Sequence, residues 1–163
     1  KWRRVIDNVL LPAEILGIPK GEARERAGHL LEMVGLSGFE QSYPYELSGG
    51  MQQRAAIARA LVHDPKLILM DEPFGALDAL TREKMNLELL RIWGESGKTI
   101  VFVTHGIQEA VFLGSRVVVL TAGPAKMADN FLVDLPHPRG LDLKTTEAFG
   151  DYTRRIYKLL GME

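Results

Sequence analysis

The stretch from Leu47 to Asp78 constrains this chain more than any other. Leu47-Ser48-Gly49-Gly50-Met51-Gln52-Gln53-Arg54 leads into a helical pattern. Apolar Leu67-Ile68-Leu69-Met70 follows, closed by Asp71-Glu72-Pro73 and then by Gly75-Ala76-Leu77-Asp78. Met51, Ala55, Ala58 and Val62 recur at helical spacing, and Pro65 ends the pattern. Four apolar residues before a carboxylate predict a buried strand that presents an acid at its end.

Each part has a chemical reading. Ser48 can cap the helix, and Gly49 and Gly50 let backbone N–H groups approach an anion closely. A carboxylate such as Asp71 at a strand end can hold Mg²⁺, and the adjacent Glu72 can polarise a water. Each part also has a plain reading. Ser-Gly-Gly is an ordinary turn before a helix, and two acids at a strand end are commonly just solvated. The information lies in their order and spacing.

Downstream, strand-like and helix-like segments alternate. Lys66–Met70 is a strand, Asp78–Trp93 a helix, Thr99–Val103 a strand ending near His105, Ile107–Leu113 a short helix and Arg116–Leu120 a third strand. This alternation predicts an α/β fold with a parallel sheet, in which ligands gather at the carboxyl ends of the strands. Asp71, Glu72 and His105 all fall at such ends. Upstream, Asn8–Leu16 and Gly21–Val34 read as helices, the second with Ala23, Ala27, Leu30, Leu31 and Val34 inward. His29 reads as partly buried within it, and Tyr43 and Tyr45 as aromatics that pack or contact a partner, packing being the favoured reading. Beyond Gly123-Pro124, an alternating segment spans Ala128–Val133. His137 reads as exposed and inert, and Thr145–Leu160 as a terminal helix with Ala148, Tyr152, Ile156 and Leu159 in phase.

Gly97-Lys98-Thr99 imitates the end of a phosphate-binding loop. That loop needs a glycine five residues before Gly97, where Ile92 stands, and it must follow a strand and open a helix. Here the tripeptide follows a helix and opens a strand, so it reads as a turn. The chain contains no other candidate for a phosphate cradle. Its 163 residues suffice for a core, and a net charge of −1 implies no polyanionic partner by charge balance. With no cysteine, disulfides and thiolate metal sites are excluded. No apolar run is long enough to cross a membrane as a helix.

Leu-Ser-Gly-Gly, a helix, an apolar strand ending Asp-Glu-Pro, Ala-Leu-Asp, and a strand ending in His together resemble the ATP-binding cassette (ABC) family of ATPases. The resemblance covers essentially the whole chain and corresponds to roughly the last two-thirds of such a domain. It implies a P-loop NTPase fold, with Lys1 falling just after the glutamine loop and the phosphate-cradling loop outside the sequence. Residues 1–50 correspond to the helical subdomain, ending in the signature. Residues 51–122 correspond to the second half of the ATPase core, and 123–163 to a C-terminal extension.

The resemblance also implies roles. Ser48, Gly49 and Gly50 close over the γ-phosphate held by a partner subunit. Asp71 is the Mg²⁺ acid, Glu72 the general base and His105 the γ-phosphate switch, while Asp78 lies in the loop that crosses the dimer interface. ATP and Mg²⁺ are the implied ligands. A second ATPase subunit, permease subunits and indirectly a solute-binding protein are the implied partners, at the cytoplasmic face of a membrane and without nucleic acid. Two positions depart from the family pattern. Met51 replaces the commoner Gln, and Gly106 replaces the Asp that often follows the histidine, which would loosen that turn.

Phe74 to Arg82, and Asp134-Leu135-Pro136 through Arg139, look like the nitrate, sulfonate and taurine importer branch. Two other readings stand beside this one. A non-catalytic interaction module would keep the fold without the chemistry. A DNA-repair ATPase head shares the signature, but it carries long coiled coils that are missing between Lys1 and Leu47. The sequence predicts that residues 1–163 alone neither bind Mg·ATP tightly nor hydrolyse it, and that strand Thr99–Val103 has an unpaired edge.

Overall fold

A computed structural model describes residues 2–75 and 77–162; Lys1, Ala76 and Glu163 lie outside the described residues, including the alanine of the Gly-Ala-Leu-Asp motif. The chain divides into two compact units, 1–101 and 102–163.

The first unit opens with three mutually packed helices, α1 (Val5–Ile15), α2 (Lys20–Met33) and α3 (Gly49–Leu61). Val9, Ala13, Ala27, Leu31, Val34, Ala58 and Val62 are fully buried. Burying each leucine or valine stabilises the cluster by about 1.5–3 kcal/mol. Two arginines cross-brace it. Arg26 of α2 donates to the carbonyl of Val62, the C-cap of α3, at 3.1 Å, and Arg54 of α3 donates to Val34, the C-cap of α2, at 2.9 Å. Each helix thus satisfies a terminal carbonyl of the other. Gly35 follows at φ +66, where a Cβ would lie 2.9 Å from the Arg54 guanidinium, so both backbone and brace require glycine.

Several sequence expectations shift here. The buried stripe of α3 is Ile57, Ala58, Leu61 and Val62; Met51 and Ala55 are only half-buried. Burial in α3 thus begins at Ile57, six residues after Met51. His29 is exposed, because the buried positions of α2 are Ala23, Ala27, Leu30 and Leu31. Tyr43 and Tyr45 stack on each other, with ring centroids 5.4 Å apart, but Tyr45 remains 73% exposed. The pair packs against itself rather than into the core.

Strand β1 (Leu67–Asp71) alternates exposed and buried residues instead of being buried throughout: Ile68 and Met70 are covered, while Leu69 is 73% exposed. It pairs with β2 (Thr99–Val103) in a two-stranded sheet, and no other strand joins β2 among the described residues. Helix α4 (Ala79–Ser96) runs between them in sequence and buries Met85, Asn86, Leu89 and Ile92. It ends at Gly97, a left-handed C-cap at φ +62. Lys98 pairs with Asp64, and Thr99 opens β2. Gly97-Lys98-Thr99 is therefore a helix stop and a strand start, as its order along the chain predicts.

The second unit contains α5 (Ile107–Leu113), β3 (Arg116–Leu120), β4 (Met127–Leu132), a 3-10 turn at Leu141–Thr145 and α6 (Glu147–Leu159). The third expected strand forms with the expected bounds, but it pairs antiparallel with β4, Val117 opposite Phe131. The connection between β3 and β4 is too short for a parallel crossover, and a hairpin results. Helix α6 buries Phe149 and Ile156, while Ala148 is exposed, so the stripe begins one residue later than expected. It docks on the hairpin through polar tips. The Tyr152 hydroxyl accepts from the backbone N–H of Asp134 at 2.9 Å. Arg155 donates to Asp129 at 2.7 Å and covers the Phe131 ring at 4.2 Å.

Candidate functional site

Within the first unit, Ser48, Gly49, Gly50 and Asp78 are helix starts. Ser48 is the N-cap of α3, and its Oγ accepts from the Met51 N–H at 3.3 Å. Gly49 and Gly50 form the first turn, and Ser48 and Gly49 are exposed. An uncovered N-terminus without side chains offers free N–H groups and the positive end of a helix dipole.

Asp78 caps α4 in the same way, accepting from the Thr81 N–H at 3.0 Å. Its hydrogen bonds to Thr81 hold its carboxyl below the ordinary carboxylate range. The two caps are neighbours. A Cβ on Gly50 would lie 3.6 Å from the Thr81 methyl, and one on Gly49 would lie 4.0 Å from the Leu77 side chain. Signature and Asp78 loop thus share one exposed surface.

Asp71 ends β1 and is exposed, as is Glu72. Glu72 adopts φ +43, one of two non-glycine residues with positive φ among those described. That conformation costs about 1–3 kcal/mol and persists only where its surroundings enforce it. Here the Glu72 carbonyl accepts from the Gly75 N–H at 3.1 Å, closing a tight turn through Pro73 and the buried Phe74. Gln53, one turn into α3, donates to the Pro73 carbonyl. Arg82, one turn into α4, donates to Gly75 at 3.4 Å and to Leu77 at 3.0 Å. Both helices that open at the cap surface therefore brace the loop that carries Glu72.

The sequence reading missed Gln53 and Arg82 as braces. The available signal was their spacing: each lies one helical turn beyond a capping residue, on a helix whose start faces a loop.

Among the described residues, no group of three or more His, Cys, Asp or Glu side chains could enclose a metal. A protein cage for Mg²⁺ is therefore not formed by them. Mg²⁺ is commonly held by one or two carboxylates together with substrate phosphates, and a single exposed Asp71 suits that mode.

His105 belongs to the second unit and is exposed in the turn between β2 and α5. The residues on either side of it are tied together. Thr104 Oγ1 accepts from the Gly106 N–H at 2.9 Å and donates to the carboxylate of Glu109. Gly106 is the N-cap of α5 and supplies no side-chain cap. The turn is nonetheless restrained, through Thr104 and Glu109, so the loosening expected from glycine at 106 is offset.

The family described as ABC transporter matches residues 2–75. An uncharacterized ABC transporter ATP-binding protein of Methanocaldococcus jannaschii is 52% identical over 162 residues, covering 99% of this chain and 60% of that protein. The taurine import ATP-binding protein TauB of Rhizobium johnstonii is 50% identical over 133 residues, 82% of this chain and 51% of TauB. Among solved structures, a dimeric bacterial ABC transporter cassette superposes with a TM-score of 0.64 at 39% identity, covering 86% of this chain and 59% of that one. The protein cbiO1 of Clostridium perfringens, part of the ABC transporter complex cbiONQ, gives a TM-score of 0.64 at 30% identity over 71% of this chain and 46% of that one. The chain thus spans about half to three-fifths of the length of these relatives. By sequence and by fold, it is related to the ATP-binding proteins of ABC transporters and carries the ABC-type ATPase fold over the part of them that it spans.

Proposed function

We propose that this chain is part of an ATP-hydrolysing subunit of an ABC importer, of the nitrate, sulfonate and taurine type. The observation that carries this reading is the shared exposed surface of Ser48, Gly49, Gly50 and the Asp78 loop, braced to the loop of Asp71 and Glu72 by Gln53 and Arg82. Such a surface suits a nucleotide that is bound by a second subunit and clamped from this side.

Asp71 would hold Mg²⁺, which supplies charge neutralisation at the phosphates. Glu72 takes a proton from the attacking water, Ser48 with the N–H groups of Gly49 and Gly50 binds in trans the γ-phosphate held by the partner subunit, and His105 acts as a γ-phosphate switch. Asp78 faces the dimer partner. A homodimer docked on permease subunits at the cytoplasmic face of a membrane, fed by a solute-binding protein, completes the proposal. The taurine branch is favoured by the motifs Phe74–Arg82 and Asp134–Arg139 and by the TauB relatives.

Assembly tests the proposal. In the complete subunit, Ser48→Arg is expected to abolish ATP-driven dimerisation in sedimentation while nucleotide binding to the monomer stays within about threefold, since the arginine blocks a surface read in trans. Equal loss of monomer binding would assign Ser48 to its own subunit's nucleotide and refute the arrangement. Residues 1–163 alone are expected to show no calorimetric Mg·ATP binding below about 100 μM, because backbone N–H groups and a lysine in a phosphate loop normally supply most nucleotide affinity. Micromolar binding would contradict the division of labour proposed here.

A further inference from the structure

Glu109 lies in the first turn of α5, four residues after His105, and is only 9% exposed. One carboxylate oxygen accepts from Thr104 Oγ1; the other, Oε1, is buried without a hydrogen-bond partner. An acid in the first turn of a helix is favourable at the surface and does not need to be buried. Burying it with one oxygen unsatisfied costs free energy, so its position calls for a reason beyond helix stability.

The neighbouring geometry supplies that reason. Thr104 and Gly106 flank His105, and the Thr104 hydroxyl links them by accepting from the Gly106 N–H. That hydroxyl has one proton, and Glu109 takes it. The carboxylate thus fixes the rotamer of Thr104, and Thr104 fixes the backbone on both sides of the histidine. Gly106 leaves room for this arrangement: a Cβ there would lie 3.2 Å from Glu109 Cβ and 3.3 Å from Thr104 Oγ1. The histidine itself is exposed, while its anchor is buried.

We propose that Thr104 and Glu109 form a clasp that positions His105 for its phosphate contact, with Glu109 as the buried anchor and Gly106 as the residue whose missing side chain lets the clasp close. This rests on the phosphate role proposed for His105. Neither clasp residue touches substrate in this scheme; both act through the histidine.

The test uses the complete subunit assembled with its permease, Mg·ATP as substrate and the NMR signal of the His105 ring as a second readout. Thr104→Val removes the hydroxyl at nearly constant volume. It is expected to lower kcat about tenfold or more, because small misplacements of a reacting group are expensive, while KM for Mg·ATP stays within about twofold. Thr104→Ser should restore kcat. Glu109→Gln keeps an acceptor oxygen and should remain within about threefold of the parent, whereas Glu109→Ala should match Thr104→Val. The His105 signal should be single and sharp in the parent and in Thr104→Ser, and broadened or split in Thr104→Val.

Glu109→Asp, which draws the carboxylate back by one methylene, carries the test if the valine variant does not fold, and it too should lower kcat. His105→Ala separates the two levels. If it leaves turnover intact, the phosphate role of His105 fails, and the ring signal alone decides whether the clasp exists. If His105→Ala abolishes turnover while Thr104→Val or Glu109→Asp keeps full kcat and a sharp ring signal, the clasp is overturned.

Discussion

Glu72→Gln in the complete subunit is expected to lower kcat for ATP hydrolysis by about 100-fold or more, the scale of a lost general base, while ATP binding stays near its parent value. That loss corresponds to about 2.7 kcal/mol of transition-state stabilisation. The substitution exchanges one oxygen for an amide nitrogen. It keeps the volume, and it keeps the left-handed backbone at φ +43, which glutamine tolerates no worse than glutamate. The turn held by Gly75, Gln53 and Arg82 should survive, so the change is chemical rather than structural. Single-turnover hydrolysis and equilibrium nucleotide binding would check this. Turnover within a few-fold of the parent would remove Glu72 from the role of base.

A second large effect is expected at a residue with no proposed phosphate contact. Arg139→Leu should destabilise the second unit by about 3–5 kcal/mol, since several buried carbonyls lose their hydrogen bonds at about 1–3 kcal/mol each where water does not replace them. Arg139 is 5% exposed, and its guanidinium donates to five carbonyls. Nη1 reaches Val111 at 3.1 Å, Phe112 at 2.9 Å and Gly114 at 3.0 Å; Nη2 reaches Val133 at 3.4 Å and Leu135 at 3.3 Å. The first three close the carboxyl end of α5, whose last carbonyls have no partners within the helix. The other two fasten the chain leaving β4. Burial lowers the Arg139 pKa, and the N–H groups of Nη1 and Nη2 serve these carbonyls while Nε is buried without a partner.

Leucine would fill the volume and leave those carbonyls unsatisfied. Lysine, with three donors on a compact ammonium, should recover only part of the loss. Denaturant unfolding followed by a probe in α6 would measure it. A change under about 1 kcal/mol would show that water replaces the guanidinium without penalty, contrary to the burial argument.

Arg139 also marks where sequence reading stops. Its segment, Pro136-His137-Pro138-Arg139-Gly140, reads as a loop with an exposed histidine, and both features are present. Nothing local reveals that the arginine turns inward, because its partners are backbone carbonyls 4 to 28 residues away, and carbonyls have no sequence signature. The caps were legible for the opposite reason. Ser48 acts within three residues of itself, and local polar groups decide a helix start.

The strands were legible as strands, since apolar runs between turn residues are a local signal. Their partners were not fully so: β3 met β4 because the connection is short, and the half-exposure of β1 reflects what covers each face. Thr104 and Glu109 fall between these cases. Their spacing suits a contact across a helix start, but the burial that gives the contact meaning comes from tertiary packing.

The cap at Ser48 has one more consequence, which concerns the direction of a proton. Serine, aspartate and asparagine cap helices about equally well, so helix stability alone does not select among them at position 48. The Ser48 oxygen accepts from the Met51 N–H, which commits one of its lone pairs inward. The hydroxyl hydrogen remains free to turn away from the helix, toward the side of the N–H groups of Gly49 and Gly50. All three then face outward as donors of one polarity, at the positive end of the dipole. Aspartate would serve the helix equally but would place a negative charge among those donors. The serine lets one atom hold the helix start with a lone pair and keep its proton available for the phosphate contact proposed above.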